Sequence, residues 1–191
     1  MARPKSEEKR ARLLSAATEV FAKNGLTAST ASITSAAGMA EGTLFIYFKG
    51  KDELINELYA ELKQELGEAM LRDYPGKESI QSRFKHVWDR LIDWGMENPD
   101  KLSTVHKIKV YEGLRPEVRD SLHAKFGEVH ALWQTAQKEG IFQDVPHEFV
   151  MAVLSAQAET AIVFMKQDPK GAATYKEKGF EMFWSGITRK K

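Results

Sequence analysis

The 191-residue chain contains no cysteine, which excludes disulfides, thiol nucleophiles and cysteinyl metal sites. Proline occurs six times and glycine thirteen times, too sparsely for a fibrous or loop-built protein. Charge of one sign is also missing, since 28 Lys and Arg against 27 Asp and Glu leave a formal net charge of +1. No global field draws this chain to a polyanion, so any nucleic-acid reading has to rest on locally placed groups. The opening Met1-Ala-Arg-Pro-Lys-Ser-Glu-Glu is polar, without the apolar stretch of a secretory signal. No apolar run is expected to approach the roughly 20 residues of a membrane span. The expected setting is therefore cytoplasmic, with no membrane partner.

Enzymatic signatures are absent as well. No phosphate-cradling glycine loop or nucleophile elbow occurs, and the five histidines form no His-x-x-x-His or Glu-x-x-His pair. His123 and His130 are spaced to share a helix face, but two ligands without a third make a weak metal site. The chain is expected to be no enzyme and to need no metal or cofactor.

What is present is helical periodicity almost throughout, pointing to an all-α fold of about nine helices. The first is expected to start near Ser6, with Glu7 and Glu8 in its favourable first turn. Leu13, Leu14, Ala17, Val20 and Phe21 form its buried stripe, and Asn24-Gly25 stops it. Thr30 is read as the cap of a short second helix turning Ile33, Ala36 and Ala37 inward. Gly38 ends that helix, and a third is expected over about 41–48. A long fourth helix, 51–72, buries Leu54, Ile55, Leu58, Leu62 and Leu66. Five more are expected at about 78–97, 100–112, 115–139, 146–166 and 169–188, the last with Asp168 as cap and Pro169 at its first position.

The segment 30–48 carries the chemistry. Two short helices around a glycine turn form a helix-turn-helix, too short to stand without a scaffold. On a helical wheel at about 100° per residue, Leu44 and Phe48 share the inward face. Gly42, Thr43 and Ile46 face outward, with Phe45 and Tyr47 on the flanks. That is the layout of a recognition helix in a major groove. Gly42 permits close backbone approach, while Thr43 and Tyr47 can donate to phosphates or base edges. Ile46 is either incidentally exposed or meets a thymine methyl group; we take the second reading. Lys49 and Lys51 add phosphate neutralisation beside free backbone N–H groups at the next helix start. Thr30 and Glu41 complete the candidate surface. The N-terminal tail sets Arg3, Lys5, Lys9, Arg10 and Arg12 against Glu7 and Glu8. Arg3 and Lys5 either reach an adjacent groove or are merely solvated.

These residues resemble the TetR family of bacterial one-component regulators. The resemblance is carried by Leu14-x-x-Ala17…Phe21-x-x-x-Gly25, by Thr30-x-x-Ile33-x-x-x-Ala37-Gly38, and by Gly42-Thr43-Leu44-Phe45-x-Tyr47-Phe48-x-x-Lys51-x-Glu53-Leu54. It covers roughly residues 7–60. Two positions depart from the family pattern. Ala40 stands where Ser or Thr usually caps the recognition helix, and Phe45 replaces a Tyr and loses its hydroxyl. Within the family, Met1-Ala-Arg-Pro-Lys-Ser-Glu, Ala40-Glu-Gly-Thr-Leu-Phe, Lys51-Asp-Glu-Leu-Ile-Asn, Trp88 and Trp94-Gly95 are similar to RamR-type multidrug-responsive repressors.

The resemblance implies a DNA-binding domain over 1–52, a connecting fourth helix, and a ligand-binding and dimerisation domain over 53–191. It implies a homodimer through the last two helices. The apolar residues all round 146–166 and the pairing of Gly179 and Gly186 with Phe180, Phe183 and Ile187 agree with that. It also implies a pocket for a small hydrophobic or cationic effector. Tyr59, Phe84, Trp88, Trp94, Tyr111, Phe126 and Trp133 are candidates for its lining, although such aromatics more often serve as plain core. Trp88 is the first choice, by the closer resemblance. Glu159 is either the partner of a cationic ligand or an interface carboxylate. The expected function is a ligand-responsive repressor on a palindromic double-stranded operator, with efflux control as the narrower possibility. The alternative is a helical small-molecule-binding or scaffold protein without operator binding.

Overall fold

The computed structural model describes residues 5–118, 127–142 and 145–189. The helices are α1 Lys5–Asn24, α2 Thr30–Ala36, α3 Leu44–Tyr47, α4 Lys51–Leu71, α5 Ile80–Glu97, α6 Pro99–Lys109, α7 Gly127–Lys138, α8 His147–Gln167 and α9 Ala172–Ile187. Among the described residues the only β pairing is an isolated bridge between Phe142 and Thr188, so the fold is all-α as expected. Two compact units emerge. One joins residues up to 65 with 98–118, and the other joins 66–97 with those from 127 onward.

In the first unit the α1 stripe is fully inward, with Leu13, Leu14, Ala17 and Phe21 at 1% exposure or less. Against it lies α6, whose buried Thr104 hydroxyl donates to Thr18 O at 3.0 Å. The Lys107 ammonium donates to Phe21 O at 3.1 Å and to Ala22 O. It thereby satisfies carbonyls at the end of α1 where the helix dipole favours a cation.

Several boundaries differ from the sequence reading. Ser29, not Thr30, caps α2, because its Oγ accepts from Ser32 N–H at 3.1 Å. Ala36 is exposed, and Thr34 takes the inward position instead, its hydroxyl bonded to Thr30 O and Ala31 O. The third helix is shorter than 41–48: Glu41–Thr43 form a 3₁₀ turn, and only Leu44–Tyr47 are α-helical. Ala40 offers no side-chain cap, so nothing pins a full α-turn at that start. The expected helix 100–112 is Pro99–Lys109, because Tyr111 N–H turns back to Ile108 O at 2.9 Å. The expected helix 115–139 lies partly outside the described residues. Asp168-Pro169 does not open the last helix, which starts at Ala172 behind Gly171. Asp168 instead accepts from Gly171 N–H and the Tyr175 hydroxyl in a turn.

The second unit is built on aromatics. Trp88 of α5 is fully buried, stacked near-parallel to Phe183 of α9 with centroids 6.3 Å apart. Its indole N–H donates to Lys176 O at 2.9 Å, which satisfies the one polar atom the ring buries. Gly179 makes this possible, since a Cβ there would sit 2.7 Å from Trp88 Cζ2. Trp133 stacks on Phe142 at 4.5 Å. Contrary to the hydropathy expectation, α8 is long and apolar enough to cross a bilayer, at mean hydropathy 1.4. Part of that apolar surface, including Val150, Leu154, Ala158 and Ile162, goes into the core of this unit.

Candidate nucleic-acid interface and effector residues

The helix-turn-helix is assembled by three local devices. Gly38 adopts φ +64°, a conformation that costs glycine nothing. Around it Gly38 N–H bonds to Ser35 O at 3.0 Å and Met39 N–H to Thr34 O at 2.9 Å, the paired closure of a Schellman motif. Arg12 of α1 then donates to Ala37 O at 2.7 Å, tying the scaffold to the end of α2.

Leu44 and Phe48 are buried to within 1% and anchor α3. The opposite face is bare, with Ile46 76% and Phe45 56% exposed. Glu41 and Gly42 are also exposed, Thr43 and Tyr47 partly so. Among the described residues, and apart from its own chain neighbours, no atom lies within 4 Å of a Cβ built on Gly42, so no close approach among them calls for a glycine there. Exposed isoleucine and phenylalanine side by side on one short helix leave apolar surface that groove contact would cover. Thr30 opens α2 and is partly exposed.

Around this surface, several expected cations turn out to be spoken for. Arg10 lies over the Phe48 ring at 5.6 Å and pairs with Glu57 and Glu61 of α4. With Arg12 on Ala37 O, both are committed within the chain, Arg10 bracing α3 through Phe48 and Arg12 bracing the end of α2. Lys49 is exposed and Lys51 partly so. The Lys49 backbone N–H donates to the Glu53 carboxylate, which ties the turn before α4 to the helix's first turn. Arg3 and the Lys5 side chain lie outside the described residues.

The sequence reading missed the residue that holds the start of α4. Asn56 is 1% exposed. Its amide donates to Asp52 O at 2.8 Å and to Gly113 O at 3.0 Å. Its Oδ1 accepts from Arg115 N–H at 2.8 Å. Alongside, the Tyr111 hydroxyl donates to Asp52 Oδ1 at 2.5 Å. That bond, then burial, then the nearby charge raise the Tyr111 pKa. The loop after α6 is thus latched to the helix that follows the recognition helix. A buried asparagine among leucines was the available signal.

Of the candidate effector residues, Tyr59, Phe84, Trp88, Trp94 and Trp133 are all buried. Trp88 is covered by Phe183 and Phe180. Phe84 meets Phe142 edge-on at 5.3 Å. Tyr111 belongs to the α4 latch, Glu159 is partly exposed on α8, and Phe126 lies outside the described residues. His130 meets His147 edge-on at 5.2 Å, while His123 is also outside them.

Residues 13–58 match the family described as bacterial regulatory proteins, tetR family. A fatty acid metabolism regulator protein of Bacillus subtilis is 34% identical over 76 residues, 39% of this chain and 39% of that protein. The matched stretches span about half the length of the curated relatives or less. A solved structure of a putative tetR family transcription regulator from Shewanella sp. PV-4 superposes with TM-score 0.85 at 25% identity, covering 95% of this chain and 99% of that one. The FadR regulator of Bacillus subtilis, solved with stearoyl-CoA, has TM-score 0.68 at 17% identity, covering 93% and 98%.

Proposed function

We propose that the chain is a TetR-family transcriptional regulator, a repressor released from a pseudo-palindromic operator by a small-molecule effector. The observation that carries the operator reading is the bare outer face of segment 42–47, the 3₁₀ turn and α3, held by the buried anchors Leu44 and Phe48. In this reading Thr43, Tyr47, Lys49 and Lys51 hold phosphates, and Ile46 reads a thymine methyl group. Glu41, Phe45 and Thr30 border the contact.

Regulators of this family bind operator DNA, take effectors and form dimers. Here the dimer face is assigned to α8 and α9, whose outer side exposes Phe149, Val163, Phe164 and Met182. Two recognition helices about 34–36 Å apart then meet successive major grooves. The effector must favour a conformation with a different spacing, since equal affinity for both states shifts nothing. A hydrophobic effector suits the aromatic content of the second unit. Multidrug efflux and fatty acid metabolism are the two regulatory settings that the resemblances support.

The test is fluorescence anisotropy with duplexes tiled across the DNA upstream of the protein's own gene. Binding of one duplex with a steep loss of affinity on adding salt is expected. Uniform weak binding to every duplex would leave a helical ligand-binding protein as the better reading. Candidate lipophilic cations and long-chain acyl-CoAs are then added to the complex, and the class that releases the DNA identifies the effector.

A further inference from the structure

One face of α4 carries a charge that the chain holds at a cost. Asp52, Asn56, Tyr59 and Lys63 follow one another in steps of four, three and four, which sets them along a single stripe of the helix. The first two are tied to the segment after α6, Asp52 by the Tyr111 hydroxyl and Asn56 through Gly113 O and Arg115 N–H. Lys63 continues the stripe two turns beyond Asn56. Along α6, Lys101, Val105 and Lys109 follow in steps of four, and Lys101 reaches across to Glu65 of α4 at 2.6 Å. The two helices therefore run antiparallel, with Lys101 beside Glu65 at one end and Tyr111 beside Asp52 at the other. Lys63 and Lys109 fall between these ties.

Burial first, and the Lys109 charge second, lower the Lys63 pKa to about 8. Lys85 is penalised by burial too, but its hydrogen bonds to Asp89 and Glu177 outweigh that and raise its pKa. Whatever Lys63 touches inside the chain does not offset its charge in that way. Lys63 is partly exposed and Lys109 exposed, so the pair is not sealed off from solvent. A crowded cation set against a second cation is a poor choice for stability, since an apolar side chain of similar size would carry no such penalty. Groups kept at a cost to the fold concentrate where a ligand is bound. An anion placed against both ammonium groups removes their repulsion and balances the charge that burial disfavours.

We propose that Lys63 and Lys109 jointly receive a carboxylate or phosphate group of the effector, which is therefore an anion and not a lipophilic cation. The proposal rests on the effector reading given above and adds the charge of the ligand and the place of its head group. The place also suits a signal. An anion there acts on the stripe of α4 that Asp52 and Asn56 tie to the segment after α6, and α4 begins at Lys51, directly after the recognition helix.

The experiment is isothermal titration calorimetry on the full-length protein at pH 7 in chloride buffer. Four submicellar probes share one chain length: dodecanoate, dodecyl phosphate, dodecylammonium and dodecanol. At least one of the anions is expected to bind about tenfold or more tighter than the ammonium and the alcohol, and the preferred anion tells carboxylate from phosphate. Lys63→Met and Lys109→Gln are each expected to weaken that binding by about tenfold and to change dodecanol binding by less than about twofold. Lys63→Met removes a disfavoured charge, so its fold is expected to persist, and its urea midpoint checks that. Three outcomes overturn the anion site: dodecylammonium or dodecanol binding as tightly as the anions, anion binding that neither variant weakens, or variants that weaken dodecanol as much as the anion. In each of these the chain still takes an amphiphile, and the effector reading stands. Absence of binding by all four probes would count against the effector reading as well as the anion site.

Discussion

Replacing Asn56 with alanine is expected to destabilise the fold by about 2 kcal/mol, although no apolar contact of consequence is lost. Asn56 is 1% exposed and makes two hydrogen bonds to the loop after α6, at 3.0 Å to Gly113 O and 2.8 Å from Arg115 N–H. Each such bond contributes about 0.5–1.5 kcal/mol net, and a backbone group left unsatisfied in a partly buried place costs a comparable amount. Partial rehydration of the loop keeps the total near the lower end of that sum. For a chain of this length, about 2 kcal/mol corresponds to a fall in Tm of roughly 4–8 °C. The assay is urea unfolding followed by far-UV circular dichroism at fixed protein concentration, with the midpoint falling and the slope unchanged.

The companion change, Asn56→Asp, separates donor from acceptor. The aspartate keeps the oxygen that receives Arg115 N–H, but when ionised it has no proton for Gly113 O. Burial against carbonyl oxygens raises its folded pKa above the unfolded value of about 3.9. The folded state then holds more protons between the two pKa values, so stability falls as pH rises through that window. Asn56→Asp is therefore expected to be closest to wild type at acid pH and worst at neutral pH. A loss below about 0.5 kcal/mol for Asn56→Ala, or a pH-independent Asn56→Asp, would refute the latch.

Other changes probe different parts of the molecule. Removing the Ile46 side chain is expected to abolish the preference for thymine over uracil at one operator position. For wild type that preference is about fourfold, the worth of one buried methyl group near 0.8 kcal/mol. An unchanged thymine-to-uracil difference in Ile46→Ala, measured by anisotropy, would remove the methyl contact. Lys63 is lowered from 10.5 to about 8, first by burial and then by Lys109. The unfolded chain keeps that proton to higher pH, so stability rises between these values. Lys63→Met is expected to stabilise at pH 7 by on the order of 1–2 kcal/mol. Its advantage over wild type should shrink from pH 8 to 10.5, and a constant gap in urea midpoints would count against it. Gly179→Ala should cost about 1–3 kcal/mol by pressing a methyl on the rigid Trp88 ring. Gly186→Ala should leave the fold intact and weaken self-association, read by thermal melts and sedimentation together.

The local elements were legible because their causes are local. Leu44 and Phe48 one turn apart, Gly38 where a positive φ is required, and the α1 stripe all follow from spacing and backbone sterics. So does the bare face of α3, since a helical wheel places Ile46 opposite the anchors. Where the reading slipped, neighbours in space decided. Ser29 outcompeted Thr30 as a cap. Arg10 and Arg12, basic by sequence, were drawn into bracing α3 and α2. The two final glycines looked equivalent in the chain, yet Gly179 answers to Trp88 inside its unit and Gly186 faces open space. An all-helical chain with a helix-turn-helix could be read from the residues, because periodicity and turn chemistry act over a few positions. Tertiary structure alone decided that α6 packs on α1, that Asn56 latches the following loop, and that Lys63 lies beside Lys109. Each depends on groups brought together from distant positions, and no pattern within one segment records that.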